Sequence, residues 1–175
     1  VEDVSIRVLV RETSDRTHLK KMPTEIYVGD LRDRASLRNA LRGCDALIHT
    51  AAEYRLWTAN PNDMIASNIT GTGNILSAAG EAGVTNIVYT SSVAALGKAA
   101  GNEPVTELTP SELKDKIGLY KRSKFLAEQK VLSLHQAQGL PVKIVNPSAP
   151  IGPGDIKPTP TGRLVVEAAK GKVPA

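Results

Sequence analysis

The 175 residues are 41% hydrophobic and 23% charged with a formal net charge of +4, enough apolar content for one packed domain. Lys and Arg are interspersed with Asp and Glu, the longest basic run is KRSK at 121–124, and aromatics make up 3%. That excludes both a phosphate-tracking basic face and a base-stacking platform, so a small molecule rather than nucleic acid is the expected partner. The lone Cys44 excludes an intrachain disulfide, and no Cys/His cluster has zinc spacing, so no metal is expected. No apolar run reaches the ~20 residues of a bilayer span, and VEDVSIRVLV lacks the basic start and cleavage region of a signal peptide. The expectation is a cytoplasmic protein with no membrane span.

Ser5 to Val10 is an apolar, β-branched run stopped by the polar RETSDR, and Glu25 to Val28 repeats the pattern before Gly29-Asp30. Both predict strands. Ala35, Leu37, Ala40 and Leu41 recur at helical spacing after a capping Asp33, and Gly43 closes that helix. Asp45 to His49 predicts a third strand, with His49 its last buried residue, and Ile87 to Tyr89 before Thr-Ser-Ser predicts a fourth. Between them Pro61 through Ala82 predicts a long helix with Met64, Ile65, Ile69, Ile75 and Leu76 as its apolar stripe. Gly71 and Gly73 in its middle each cost up to about 1 kcal/mol against alanine, so a close backbone neighbour is expected there. Ile117 to Gln138 predicts another helix, Val142 to Val145 a fifth strand, Asn146 to Gly162 a Pro/Gly-rich loop, and Arg163 to Lys170 the start of a last helix.

Strands alternating with helices of this length predict an α/β, doubly wound parallel sheet, covered on both faces by right-handed crossovers. Ligands in such sheets sit outside the carboxyl ends of the strands. That rule singles out Arg11, Asp30, Thr50, Ala51, Ala52, Thr90, Ser91, Ser92, Asn146 and Pro147.

Tyr120 and Lys124 stand at i and i+4, which puts both side chains on one helix face. An ammonium nearby favours phenolate and lowers the tyrosine from its usual value of about 10, toward use as an acid or base. Ser92 or Ser91, following a strand, would hydrogen-bond the oxygen that gains or loses the proton. Together these suggest carbonyl/alcohol redox chemistry, although YxxxK alone is more often a solvated helix face. Arg11 ends the first strand, where an acidic residue suits the ribose of NAD and a basic one the 2′-phosphate of NADP. NADP is therefore preferred over NAD, with Ser14 and Arg16 as further phosphate contacts; the other reading of Arg11 is an arginine that opens a polar loop.

HTAAEYRLW, NITGTGNIL, VYTSSVAALG, YKRSKFLAE and VNPSAPIGPGDIKPTPTGR, spread over essentially the whole chain, resemble the extended short-chain dehydrogenases/reductases, the NAD-dependent epimerase/dehydratase and dihydroflavonol-reductase group. The likeness is nearest to the hopanoid-associated sugar epimerases, which share YRLW, YKRSKFLAE and DIKPTPTGR almost letter for letter. The resemblance implies an NAD(P)-binding Rossmann fold with Tyr120 as catalytic acid/base. Lys124 would hold the nicotinamide ribose, Ser92 would orient the substrate oxygen, and Asn68 would support the lysine through water. Asp30 with Leu31 would contact the adenine edge, and Thr50, Ala51 and Ala52 would form the small-residue turn that lets the cofactor approach. Asn146-Pro147 would open the loop over the nicotinamide, stiffened by Pro150, Pro153, Pro158 and Pro160. The family's habit of pairing long helices leaves a homodimer open.

The family's GxxGxxG fingerprint is absent, and relatives begin earlier and continue later, which implies an internal fragment. Residues 1–147 would be a partial NAD(P)-binding domain lacking the first strand and its pyrophosphate-holding turn, and 148–175 the start of the substrate-binding region. An uncovered sheet edge would follow. The implied activity is hydride transfer at a hydroxyl or ketone carbon of a sugar-like or other small substrate, as an epimerase or a ketone reductase. The alternative is a non-catalytic NAD(P)-sensing or scaffold protein with the same fold.

Overall fold

The computed structural model describes residues 4–54, 60–99, 101, 103–155 and 159–172. Arg55 to Trp57 of the YRLW motif, Ile156 to Pro158 of DIKPTPTGR, and Val173 to Ala175 lie outside the described residues.

Among the described residues five short strands form, all paired in parallel. β1 (Ile6–Val10) pairs with β2 (Thr24–Val28), and β3 (Ala46–His49), β4 (Asn86–Thr90) and β5 (Val142–Val145) form a second ladder in that order. Parallel neighbours need crossover connections. Between β1 and β2 the connection holds the short helical turn Leu19–Lys21, between β3 and β4 it is the run from α2 (Pro61–Ile65) through a π-helical turn at Ala66–Thr70 into α3 (Gly71–Glu81), and between β4 and β5 it is α4 (Leu119–Gln138), while α1 (Arg34–Leu41) leads from β2 to β3. α5 (Pro160–Ala169) follows the last loop. The α/β architecture with parallel strands is as the sequence predicts. Among the described residues the strands form two ladders, with β1 and β3 each unpaired on the edge that faces the other.

Alternation along the strands sorts the two faces. Leu9, Leu47, Ile87, Tyr89, Val142 and Ile144 point to one side and pack with Leu37, Leu41, Leu76, Ala79, Ala127 and Val131 of the helices. α1 packs on α3 and α3 on α4 along this side. The opposite side carries Ile26, Val28, Ile48 and Val145 in exposed positions, Ile48 at 70%. Coverage of both faces, expected from the alternating pattern, is therefore not seen among the described residues, because the described crossovers α1, α3 and α4 build one helical layer.

Local chemistry explains the element ends. Asp33 accepts from Ala35 N at 3.0 Å and starts α1, while Gly43 just beyond it takes φ +72°. The Arg7 guanidinium donates to the carbonyls of Ala40 and Arg42, both at 2.8 Å, and so ties β1 to the orphan acceptors at the end of α1. α4 starts at Leu119 rather than Ile117, because Gly118 sits at φ +87° and breaks the helical path. α5 starts at Pro160, three residues before the expected Arg163, with Thr159 Oγ1 accepting from Gly162 N and proline at a position where its missing N–H costs nothing.

The glycine pair meets side chains, not the backbone neighbour expected. A methyl group on Gly71 would lie 2.7 Å from Leu31 Cβ, whereas on Gly73 it would lie 3.1 Å from Lys130 Cε. Leu31 is pinned by Asn74 Nδ2 on its carbonyl at 2.9 Å, but a lysine end can swing away. Gly71→Ala should therefore destabilise by about 1 kcal/mol or more, overpacking outweighing the gain in helix propensity, while Gly73→Ala should be neutral or stabilising by up to about 1 kcal/mol. Urea unfolding of the two variants checks this, and equal effects at both sites would contradict it.

Candidate active site

At the carboxyl end of β4 the chain is held by β5 and the loop that follows it. Ser91 N donates to Val145 O at 2.8 Å and Val93 N to Pro147 O at 3.1 Å, so the strand ladder continues into the two loops. Ser92 Oγ accepts from Ala94 N at 3.1 Å and caps the short turn Val93–Ala95. With its oxygen engaged, the Ser92 hydroxyl keeps its proton to donate. Ser91, by contrast, is 5% exposed and Ser92 partly exposed, which makes Ser92 the hydroxyl within reach of a ligand.

α4 packs against this turn and presents Tyr120 in its first turn, partly exposed. One turn on, Lys124 is only 3% exposed. Its Nζ donates to Thr90 O at 3.0 Å and to the Tyr89 hydroxyl at 3.4 Å, and lies 5.0 Å from the centre of the Tyr89 ring. Burial brings Lys124 down to about 8, with the Glu128 carboxylate working the other way. Burial pushes the Tyr89 phenol above its usual range, and Glu128 adds to this. Two of the three ammonium protons thus have protein acceptors, and one remains for a ligand.

Asn68 lies in the π-helical turn and is 2% exposed. Its Oδ1 accepts from Glu53 N at 2.7 Å, and its Nδ2 donates to Glu53 O at 2.8 Å and to Ser123 Oγ at 3.0 Å. Contact with α4 is therefore direct and made one residue before Lys124. The turn works as a clamp, fixing the segment after Thr50-Ala51-Ala52 to the helix that carries the tyrosine and lysine. Asn146 Nδ2 donates to Ser92 O at 3.1 Å and to Glu128 Oε2 at 2.9 Å. Neither Ser123 nor Glu128 stood out in the sequence, although Glu128 continues the stripe of Tyr120 and Lys124 by one more helical turn.

The other candidate residues gather elsewhere. Between the bare edges of β1 and β3 lies a slot of about 670 Å³, and its carboxyl-end rim includes Arg11, Ser14, Asp30, Leu31, Thr50, Ala51 and Ala52. The Asp30 carboxylate is already gripped by Arg32, at 3.0 Å from Nε and 2.9 Å from NH2, which holds it below the usual carboxylate range. Arg16 turns to the Arg11 and Glu12 carbonyls and to the Glu12 carboxylate at 3.7 Å, so it is spent locally. A dinucleotide fits this rim in part: a cation, a carboxylate and a small-residue turn are present for its adenosine end, and Lys124 and Ser92 for its reactive end. No glycine turn for its pyrophosphate occurs among the described residues.

The profile of the NAD dependent epimerase/dehydratase family matches residues 2–172. The chain belongs to that family. A Synechocystis sp. protein whose provisional name is dihydroflavonol 4-reductase is 44% identical over 170 residues, covering 97% of this chain and 49% of that protein. The crystal structure of gox2253 superposes with a TM-score of 0.91 at 49% identity, over 97% of this chain and 52% of that one. DesIV, the dTDP-glucose 4,6-dehydratase of Streptomyces venezuelae solved with NAD bound, superposes with a TM-score of 0.79 at 27% identity, over 95% and 53%. The chain spans about half the length of the curated relatives it matches. Among the described residues no helix is long and apolar enough to cross a membrane.

Behind the site, His49 is 2% exposed, with Nε2 3.0 Å from Thr72 Oγ1 and its ring 5.5 Å from that of Tyr89. Burial, helped by the Lys124 charge, takes His49 from 6.5 down to about 4. The unfolded chain therefore binds a proton that the folded chain refuses between those values. The stability conferred by the neutral ring is complete above pH 6.5 and is lost as pH falls toward 4, by about 3 kcal/mol. Denaturant unfolding between pH 7 and 4 should show His49→Gln with a shallower loss than the parent chain; parallel curves would mean that His49 titrates normally.

Proposed function

We propose that the whole protein is an NAD(P)-dependent oxidoreductase-type enzyme that moves a hydride at the hydroxyl or ketone carbon of a small, sugar-like or phenolic substrate. The observation that carries this reading is the stacking of Tyr120 and Lys124 on one face of α4, against a turn that leaves the Ser92 proton free. The nicotinamide ring, when bound, supplies or accepts the hydride. Tyr120 gives a proton to the substrate oxygen in reduction and takes it in oxidation. Ser92 donates to that same oxygen and fixes its position, which favours the charged form it acquires at the transition state. Lys124, its ammonium held by Thr90 O and the Tyr89 hydroxyl, offers its remaining N–H to the cofactor ribose and its charge to the Tyr120 phenolate.

Arg11 supports NADP as the preferred form, because it stands on the slot rim where a 2′-phosphate would lie and carries no carboxylate partner of its own in the described ion pairs. The bare edges of β1 and β3 suit one more parallel strand, and a glycine turn leaving that strand would hold the pyrophosphate on the same rim. The epimerase and reductase forms of the reaction differ in the fate of the cofactor, recycled in the first and consumed in the second. The name of the Synechocystis relative favours the reductase, and the family name the epimerase.

In the whole protein Tyr120→Phe should lower turnover by about 10²–10⁴-fold with cofactor binding unchanged; turnover at the parent rate would refute the acid/base role. Fluorescence titration with NADPH and NADH tests the cofactor. Arg11→Ala should weaken NADPH about tenfold or more and leave NADH alone, whereas equal affinities that the substitution does not move would remove the phosphate role.

A further inference from the structure

We propose that Glu128 is a positioning residue of this site: it anchors the Asn146 amide that holds the Ser92 backbone, and it supplies the counter-charge of the Lys124 ammonium. This rests on the reading of Tyr120, Lys124 and Ser92 given above.

The spacing sets it up. Positions 120, 124 and 128 are successive turns of one helix face, so the carboxylate comes next to the lysine on the side away from the tyrosine. Its Oε2 accepts from Asn146 Nδ2 at 2.9 Å, and the same nitrogen donates to Ser92 O at 3.1 Å. An amide nitrogen has two protons, and both are used. Swinging the carboxylate away would leave Asn146 free to rotate and would release its hold on Ser92. The Ser92 carbonyl also accepts from Ala95 N at 2.9 Å, so the residue is held by its backbone while its hydroxyl stays available.

Charge gives the second role. The Lys124 ammonium contacts the Thr90 carbonyl and Tyr89 hydroxyl of β4, the Tyr89 ring lies against the His49 ring of β3, and Glu128 follows Lys124 one helical turn on along α4. His49 stays neutral and Tyr89 protonated across the neutral range, so Glu128 is the anion among these described groups. Without it, burial would act on Lys124 unopposed and the ammonium would be lost at lower pH.

Glu128→Gln separates the roles, because the glutamine oxygen still accepts from Asn146 but the charge is gone. The Lys124 titration is read directly from its ¹³Cε shift, with Lys124→Arg as the assignment control. Glu128→Gln should bring the midpoint down by about one unit, and in the whole protein the alkaline limb of turnover should move down with it. Glu128→Ala should lower the midpoint as far and, by freeing Asn146 and Ser92, also reduce kcat about tenfold or more relative to Glu128→Gln, with KM little changed. A parental midpoint in either folded variant overturns the counter-charge role, and equal kcat in the two variants overturns the anchoring role. Because the titration needs no substrate, a whole protein that turns over no hydroxyl or ketone compound would sink the proposed reaction while the Glu128 result stood by itself.

Discussion

An ammonium group under a helix is costly unless its protons are taken, and the Thr90 carbonyl and Tyr89 hydroxyl take two of them at Lys124. That contact fixes α4 over the end of β4, and most of the site follows from it. Tyr120 is carried to the rim by one helical turn, Glu128 is carried inward by another, and the turn capped by Ser92 must lie beneath the first of them. A lysine placed here cannot be exchanged for another cation without cost, since an arginine fork would have to find planar acceptors where the site offers one carbonyl and one hydroxyl. The same burial leaves the ammonium closer to neutrality than a surface lysine, and so sensitive to each charge around it.

The π-helical turn at Ala66–Thr70 is the second constraint. One extra residue per turn re-aims Asn68 inward, where its amide spans from the Glu53 backbone to Ser123. An uninterrupted α-helix would rotate that side chain away. Two segments that flank α4 in the sequence, one after β3 and one after β5, are thus tied to it by side-chain amides, through Asn68 and Asn146. A buried amide network of this kind is worth having only when every member is satisfied, and each of these amides bonds on both of its available sides or through both protons.

How much of this was legible depended on whether a residue's role is local. The strand runs, the Asp33 cap and the Gly43 stop could be read because period, capping oxygen and positive φ are short-range properties. Tyr120, Lys124 and Ser92 could be read as a set because one helix face and one strand end bring them together. Asn68 was singled out, but its partners were not, since Glu53 and Ser123 are 15 and 55 residues away and nothing in the intervening sequence encodes that distance. The glycines at 71 and 73 signalled crowding, although which side chains did the crowding came from packing of Leu31 and Lys130. Glu128 was hidden for a different reason: on an exposed-looking helix of alternating charges, a carboxylate in contact with an asparagine amide looks the same as one in water.

The slot between β1 and β3 shows why the acid/base half and the nucleotide half of such a protein can be judged separately. Among the described residues the hydrogen bonds that order Lys124, Ser92 and Asn68 are made within β4, α4, the π-helical turn and the segments that follow β3 and β5. None of these bonds reaches β1 or β2, whose contribution is the rim carrying Arg11 and Asp30. The hydrogen-bonded cluster around Lys124 is thus set by one ladder and its helix, while Arg11 and Asp30 sit on a ladder that meets the first across an open gap. A change in the charge of the rim, such as the basic residue at position 11, therefore leaves the hydrogen bonds around Lys124, Ser92 and Asn68 untouched. In the proposed reaction that division would let the rim set the cofactor while the tyrosine–lysine arrangement stays as it is.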